Sequence, residues 1–135
     1  MSLSIALITW KERVGPVLTT VIPRTTRMKH ALVTQLYTTR IHLDPSPGPS
    51  VLSLKHATYL CYFSGQDHQA GTPSAPMLVL AVRDVSPVPG LQRAFNEVAA
   101  RMLSERSELT GLEASMGGML KRMREIQDHE GKNAA

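Results

Sequence analysis

The stretch from Ser64 to His68 reads Ser-Gly-Gln-Asp-His and holds a hydroxyl, a carboxylate and an imidazole within five positions. A nucleophilic serine needs a base and an orienting acid, so these residue types suit acyl transfer. Known triads are assembled from distant segments, and this stretch lacks the strand, sharp turn and helix that present a nucleophile. The pattern therefore favours a polar connection between strands, and a small hydrolase is kept only as an alternative.

The histidines and the single cysteine do not form a metal-binding pattern. No HxH or HxxxH pair occurs among the five histidines, which are His30, His42, His56, His68 and His129. A fold could bring His56, His68 and Asp67 together, but this spacing is more typical of solvated loop residues. Cys61 lies within an apolar run without an adjacent cation, which predicts a buried, unreactive thiol. We therefore expect no metal, no cofactor and no enzymatic activity.

The segment from Lys11 to Pro16 contains a glycine that invites comparison with a phosphate-binding loop. Such loops need glycines that are followed by a lysine and a Ser or Thr at the start of a helix. Here Lys11 precedes Gly15, and a run rich in β-branched residues, Val17–Ile22, comes next. The segment is thus predicted to be the turn of a β-hairpin between the strands Ser2–Trp10 and Val17–Ile22.

Composition limits the class of protein and of partner. A chain of 135 residues with 42% hydrophobic content fits one domain, predicted at residues 1–127 before a frayed tail at 128–135. No apolar run has signal-peptide or membrane-spanning character, so a cytoplasmic location is expected. The net charge of +4 leaves, as an alternative function, a protein that binds an anionic membrane surface or nucleic acid. The few aromatic residues make nucleic acid the weaker of these.

Hydrophobic periodicity and turn residues predict the element order β-β-α-β-β-β-α-α. After the hairpin these elements are a helix over Met28–Thr39 capped by Thr25 or Thr26, a loop at Asp44–Ser50, strands at Val51–Leu54, Ala57–Phe63 and Met77–Val82, and helices that begin near Leu91 and Leu109. The first two of these strands are either separated by a bend at Lys55-His56 or continuous. The third is apolar on both faces, which predicts a central strand.

Two helices carry candidate partner-binding residues. They are Arg27, Lys29, His30 and Tyr37 around the first helix, and Met116, Met119, Lys121, Arg122, Met123 and Arg124 on the last. Arg and Tyr are favoured at protein interfaces, although ordinary solvated charge is the commoner explanation of such a face. The methionines either cover the sheet or, with Gly117 and Gly118 allowing close approach, form a docking face. The neighbouring cations suit an acidic partner or a peripheral contact with an anionic membrane.

The two opening strands, which read "SIALITW" and "GPVLTTVIP", the single helix, the later strand "PMLVLAVRD" and two C-terminal helices resemble the longin-domain family. The chain is less closely similar to roadblock-type relatives within the same profilin-like α/β/α superfold. The resemblance covers roughly residues 2 to 127. It implies an α+β fold: a five-stranded antiparallel sheet with one helix on one face and two on the other. It also implies a non-enzymatic adaptor that regulates or docks on a small GTPase or a vesicle-trafficking complex. A homodimer formed through a sheet edge or a helix is a further expectation.

Overall fold

The computed structural model describes residues 2–65, 74–105 and 109–133, which form eight elements in the predicted order. The strands are β1 (Ser2–Lys11), β2 (Gly15–Ile22), β3 (Gly48–Ser53), β4 (Ala57–Phe63) and β5 (Ser74–Arg83). The helices are α1 (His30–Leu43), α2 (Pro89–Glu105) and α3 (Leu109–Asn133). The strands form one sheet in the order β2-β1-β5-β4-β3, in which every neighbouring pair is antiparallel. The predicted α+β class and antiparallel sheet are confirmed.

Alternate side chains of the strands point to opposite faces of the sheet, and both faces are covered. On one face α1 contributes Val33, Leu36 and Tyr37 to a core with residues such as Ile8 and Val79. On the other face α2 and α3 pack on the intervening residues; this core contains Leu3, Ile5, Leu7, Leu78, Leu80, Phe95, Leu112 and Met116, among others. The apolar run of β5 is explained by this arrangement, because β5 is the central strand and is buried from both sides.

The opening hairpin is confirmed, with Lys11 opposite Gly15 at its tip. Gly15 has a φ of +98°, a left-handed conformation that glycine adopts without steric strain. The turn is closed by the Val14 N–H, which donates to the Lys11 carbonyl at 3.1 Å. The glycine that suggested a ligand loop therefore serves the turn.

Helix α1 begins later than predicted. Thr25 and Thr26 are not its N-cap, because the Thr26 N–H donates to the Pro23 carbonyl in a separate turn at 2.9 Å. The first intrahelical bonds go to the Lys29 carbonyl instead, and no side chain caps the helix. The chain uses the residues between Ile22 and His30 to pass from the sheet to the helix layer.

Two further boundaries differ from the prediction, and one open alternative is decided. The loop predicted at Asp44–Ser50 ends early, since β3 begins at Gly48, and a proline such as Pro49 is tolerated on an edge strand. Strand β5 begins at Ser74 rather than at Met77. Of the two possibilities for Lys55-His56, the bend is correct, and the Leu54 N–H donates to the Ala57 carbonyl across it at 2.8 Å.

The C-terminal segment is helical through Asn133, so the prediction of a tail frayed from residue 128 was wrong for residues 128–133. Distant contacts hold it. Gln127 accepts from the Val88 N–H and donates to the Ser86 carbonyl, both at 2.9 Å. Glu130 accepts from the Gly90 N–H at 3.2 Å. These bonds tie the end of α3 to the start of α2 and compensate for its polar composition.

Candidate interaction surface

Tyr37 is not on the surface, so the prediction that it is exposed was wrong. Its side chain is 1% exposed, and its hydroxyl donates to the Ala75 carbonyl at 2.8 Å. The ring stacks on Trp10 with centroids 6.0 Å apart and meets the Phe63 ring edge-on at 5.6 Å. Burial raises the pKa of Tyr37 far above its ordinary value. The residue is a structural pin between α1 and the sheet, and it is unavailable to a partner.

The methionines of α3 also belong to the core, which excludes the docking role considered for them. Met116, Met119 and Met123 are each at most 3% exposed and pack in the cluster beneath α2 and α3. Gly117 and Gly118 point the other way and are exposed, with open space where a Cβ would stand. The predicted seam is therefore an ordinary core face of an amphipathic helix.

The predicted basic residues lie on the surface but in two separate places. Arg27, Lys29 and His30 are exposed at the start of α1. Lys121 and Arg122 are exposed on α3, on the opposite side of the sheet. The fold does not bring the two groups together.

Arg124 is the least independent of the α3 cations. Its guanidinium donates to the Leu3 carbonyl at 3.3 Å, so the side chain lies against β1 although the residue counts as exposed. This bond joins α3 to the start of the chain across 121 positions. Replacing Arg124 would thus perturb packing as well as charge.

The residues considered for catalysis give no site in the described ranges. Ser64 is placed at the end of β4, where its N–H donates to the Pro76 carbonyl at 3.0 Å. Asp67 and His68 lie outside the described residues. Within the residues that the structure describes, no three His, Cys, Asp or Glu side chains are close enough together to hold a metal ion. Cys61 is 1% exposed, and burial raises the pKa of its thiol to about 12.

The edge strand β3, which the sequence interpretation did not select, is the edge of the sheet with fewer helix contacts. The other edge, β2, lies against both α1 and α3, whereas the close contacts of β3 are mainly with β4. One row of backbone N–H and C=O groups along β3 consequently has no strand partner. The strand reads GPSVLS and has no charged side chain that would discourage another strand from pairing with it.

Exposed apolar side chains accompany this edge. Val51, in the middle of β3, is 48% exposed, and Leu43, the last residue of α1, is 74% exposed. Both line a small recess of about 40 Å³ between α1 and β3, with Gln35 and Thr39. We call Leu43, Val51 and the β3 backbone the β3 edge surface. The uncharged stretch from Pro45 to Leu54 was the sequence signal that could have indicated it.

Arg40 fixes the position of this edge relative to α1. The side chain is 5% exposed, and its guanidinium donates to the carbonyls of Asp44, Ser46 and Gly48, which belong to the connection that leads into β3. The group also lies over the Phe63 ring, 5.7 Å from its centroid. One buried cation thus satisfies two carbonyls of the connection after α1 and the carbonyl of Gly48, the first residue of β3.

Comparison of the chain with protein-family models, with curated proteins and with solved structures gives no match. Among the described residues no helix has the length and apolarity needed to cross a bilayer.

Proposed function

We propose that this chain is a non-enzymatic adaptor that binds a protein partner through the β3 edge surface. The observation that supports it most directly is an uncharged edge strand, left uncovered by the helices, with exposed Leu43 and Val51 beside it. A partner strand added to such an edge gains affinity from backbone hydrogen bonds. The apolar side chains supply selectivity. No chemistry at a reacting group is required.

The longin resemblance gives this partner a class. It implies a small GTPase or a component of a membrane-trafficking assembly, or a second copy of the same chain in a homodimer. The strand order and the distribution of one helix and two helices on the two faces are consistent with that resemblance. The partner class itself stays a prediction.

Charge introduced at the edge tests the proposal. In the double variant Leu43→Glu and Val51→Lys, the unpaired edge acquires charges that disfavour strand addition. The expected result is at least a tenfold loss of partner capture, measured by pull-down with small GTPases loaded with GDP or a GTP analogue. Light scattering over a range of concentrations would report the same loss for a homodimer.

A matched control uses Val14, which is 59% exposed in the β1–β2 turn at the other side of the sheet. Val14→Lys should leave binding unchanged. Equal binding by the edge variant and the wild type would refute the proposal. Binding that falls steeply with salt and is lost in the Lys121→Glu, Arg122→Glu variant would instead favour the nucleic-acid alternative.

A further inference from the structure

One end of the sheet carries a group of basic residues on its α1 side. Five basic residues lie there, on the connection from β2 to α1, on the β3–β4 turn and at the end of β5; they are Arg24, Arg27, Lys29, Lys55 and Arg83. One acidic residue, Asp84, accompanies them. Five basic residues and one acidic residue give this group a formal charge of +4. We call the five residues the basic end.

Hydrogen bonds hold the three segments of the basic end together. The Arg83 guanidinium donates to the Arg27 carbonyl at 3.1 Å, which joins β5 to the segment before α1. The Asp84 N–H donates to the His56 carbonyl at 3.1 Å, which joins β5 to the turn that carries Lys55. Throughout the part of the chain that is described, none of the five basic side chains is engaged in an ion pair. The charges are therefore available to an external anionic surface.

Acidic residues of α3 lie near the same end of the molecule but on the other face of the sheet. They are Glu125, Asp128 and Glu130, and the last of these accepts a hydrogen bond from the Gly90 N–H. Because α3 covers the face opposite α1, the sheet separates these carboxylates from the basic end. At this end of the molecule the five cations thus lie on the α1 side of the sheet, whereas Arg124 lies with the carboxylates on the α2–α3 side.

Two exposed aliphatic residues accompany the cations. Leu54 is 45% exposed and Val85 is 42% exposed, and both line an open cleft of about 470 Å³ together with Lys55 and Asp84. Aliphatic side chains that lie beside cations suit the boundary between lipid headgroups and acyl chains. Base stacking on nucleic acid would need aromatic rings, and the one tryptophan, Trp10, lies at the far end of β1.

We propose that the basic end binds the surface of an anionic lipid bilayer, with Leu54 and Val85 entering the headgroup region. Each Lys or Arg near such a surface strengthens binding about fivefold, so the group can supply a reversible peripheral attachment. The β3 edge runs away from this end and stays free for a protein partner. This inference does not depend on the adaptor proposal, because it involves different residues.

Sedimentation with lipid vesicles tests the inference on the full chain. Binding is expected to vesicles of phosphatidylcholine with about 30% phosphatidylserine, not to phosphatidylcholine alone, and to decrease as NaCl rises from about 0.05 to about 0.5 M. The variant Arg24→Gln, Arg27→Gln, Lys29→Gln should bind on the order of 100-fold more weakly. The bond from Arg83 uses the backbone of Arg27, so this variant retains it.

The matched control removes three exposed cations that lie away from the basic end, as Arg101→Gln, Lys121→Gln, Arg122→Gln. It has the same net charge as the test variant and should bind the vesicles nearly as well as the wild type. Circular dichroism is used to check that both variants are folded. Equal loss in the two variants, or equal binding to uncharged vesicles, would overturn the inference. Tighter binding to RNA or DNA than to vesicles at about 0.15 M salt, lost in the same test variant, would overturn it in favour of nucleic acid.

Discussion

At the scale of single residues, Arg40 shows how a charged side chain becomes part of the framework. Its removal in Arg40→Met leaves the carbonyls of Asp44, Ser46 and Gly48 without their donor, and Gly48 is buried. We expect the free energy of unfolding to fall by about 3 kcal/mol, measured by urea denaturation. Arg40→Lys should recover only part of this, because an ammonium cannot reproduce the planar fork of donors. Unchanged stability in Arg40→Met would show that the loop carbonyls find water instead.

A second prediction at this scale concerns Cys61 and the stability of the protein at alkaline pH. The thiol has an ordinary pKa of 9.0, and burial raises its pKa to about 12 in the folded protein. Between these values the unfolded chain has lost a proton that the folded chain keeps. The stabilising contribution of the Cys61 thiol to the free energy of unfolding is therefore fully present below about pH 9 and decreases as pH rises towards 12.

We expect the free energy of unfolding to decline above pH 9 with a slope of up to about 1.4 kcal/mol per pH unit from this group. In Cys61→Ala the decline should be shallower, with the remainder due to Tyr37, whose pKa is also raised by burial. Urea denaturation at several pH values measures both slopes. Iodoacetamide should label Cys61 in urea and not in the native protein. Rapid labelling of the native protein would contradict the buried state.

At the scale of elements, two glycines on the exposed side of α3 lower the stability of this helix without contributing to its core face. Gly117 and Gly118 lie mid-helix with open space around the position of a Cβ, so alanine can be introduced there without a clash. The double variant Gly117→Ala, Gly118→Ala should raise the free energy of unfolding by about 1 to 2 kcal/mol. A thermal or urea transition measures the gain.

Gly90→Ala is the control for that substitution. It is also a helical position, but its new Cβ would displace the Glu130 carboxylate and break the hydrogen bond from the residue 90 N–H, so it should bring no comparable gain in stability. Partner binding by the Gly117→Ala, Gly118→Ala variant is a separate measurement. A more stable protein with normal binding shows that the glycines are not a docking face. Loss of binding despite added stability would indicate that another backbone approaches α3 closely.

At the scale of the whole molecule, the two cores share one sheet. Neighbouring residues of β1 and β5 face the α1 core and the α2–α3 core alternately, so neither core can be lost without exposing the strands of the other. The variant Phe95→Ala, in the α2–α3 core, should lower stability by about 3 to 5 kcal/mol. Trp10 stacks on Tyr37 on the α1 side, away from the substitution. Even so, the unfolding midpoint measured by Trp10 fluorescence should fall by the same amount as the midpoint measured by far-UV circular dichroism. A fluorescence transition that stays in place would show that the two layers unfold separately.

Local patterns account for the parts of the fold that were predicted correctly. Alternation and β-branched residues identify the strands, Gly15 identifies the first turn, and the doubly apolar β5 identifies the centre of the sheet. The errors share a different cause. The helical end of α3 depends on Gln127 and Glu130, whose partners are about 40 positions away. Such contacts cannot be read from periodicity.

The candidate site shows the same division. Residue types alone correctly indicated that Arg27, Lys29 and Lys121 would be exposed, since an unpaired cation is costly to bury. They could not show that Tyr37 turns inwards, because a tyrosine is stable in either place and its buried hydroxyl needs the Ala75 carbonyl, 38 positions away.

The sequence by itself determined the elements, their order and the faces that must be covered, because these follow from local conformational preferences and the burial of apolar side chains. Only the tertiary structure decided which edge strand has few helix contacts and which basic residues lie together. Both depend on which segments become neighbours. The β3 edge, with exposed Val51 in the strand and Leu43 near it, and the basic end, joined by Arg83 and Arg27, are properties of that arrangement.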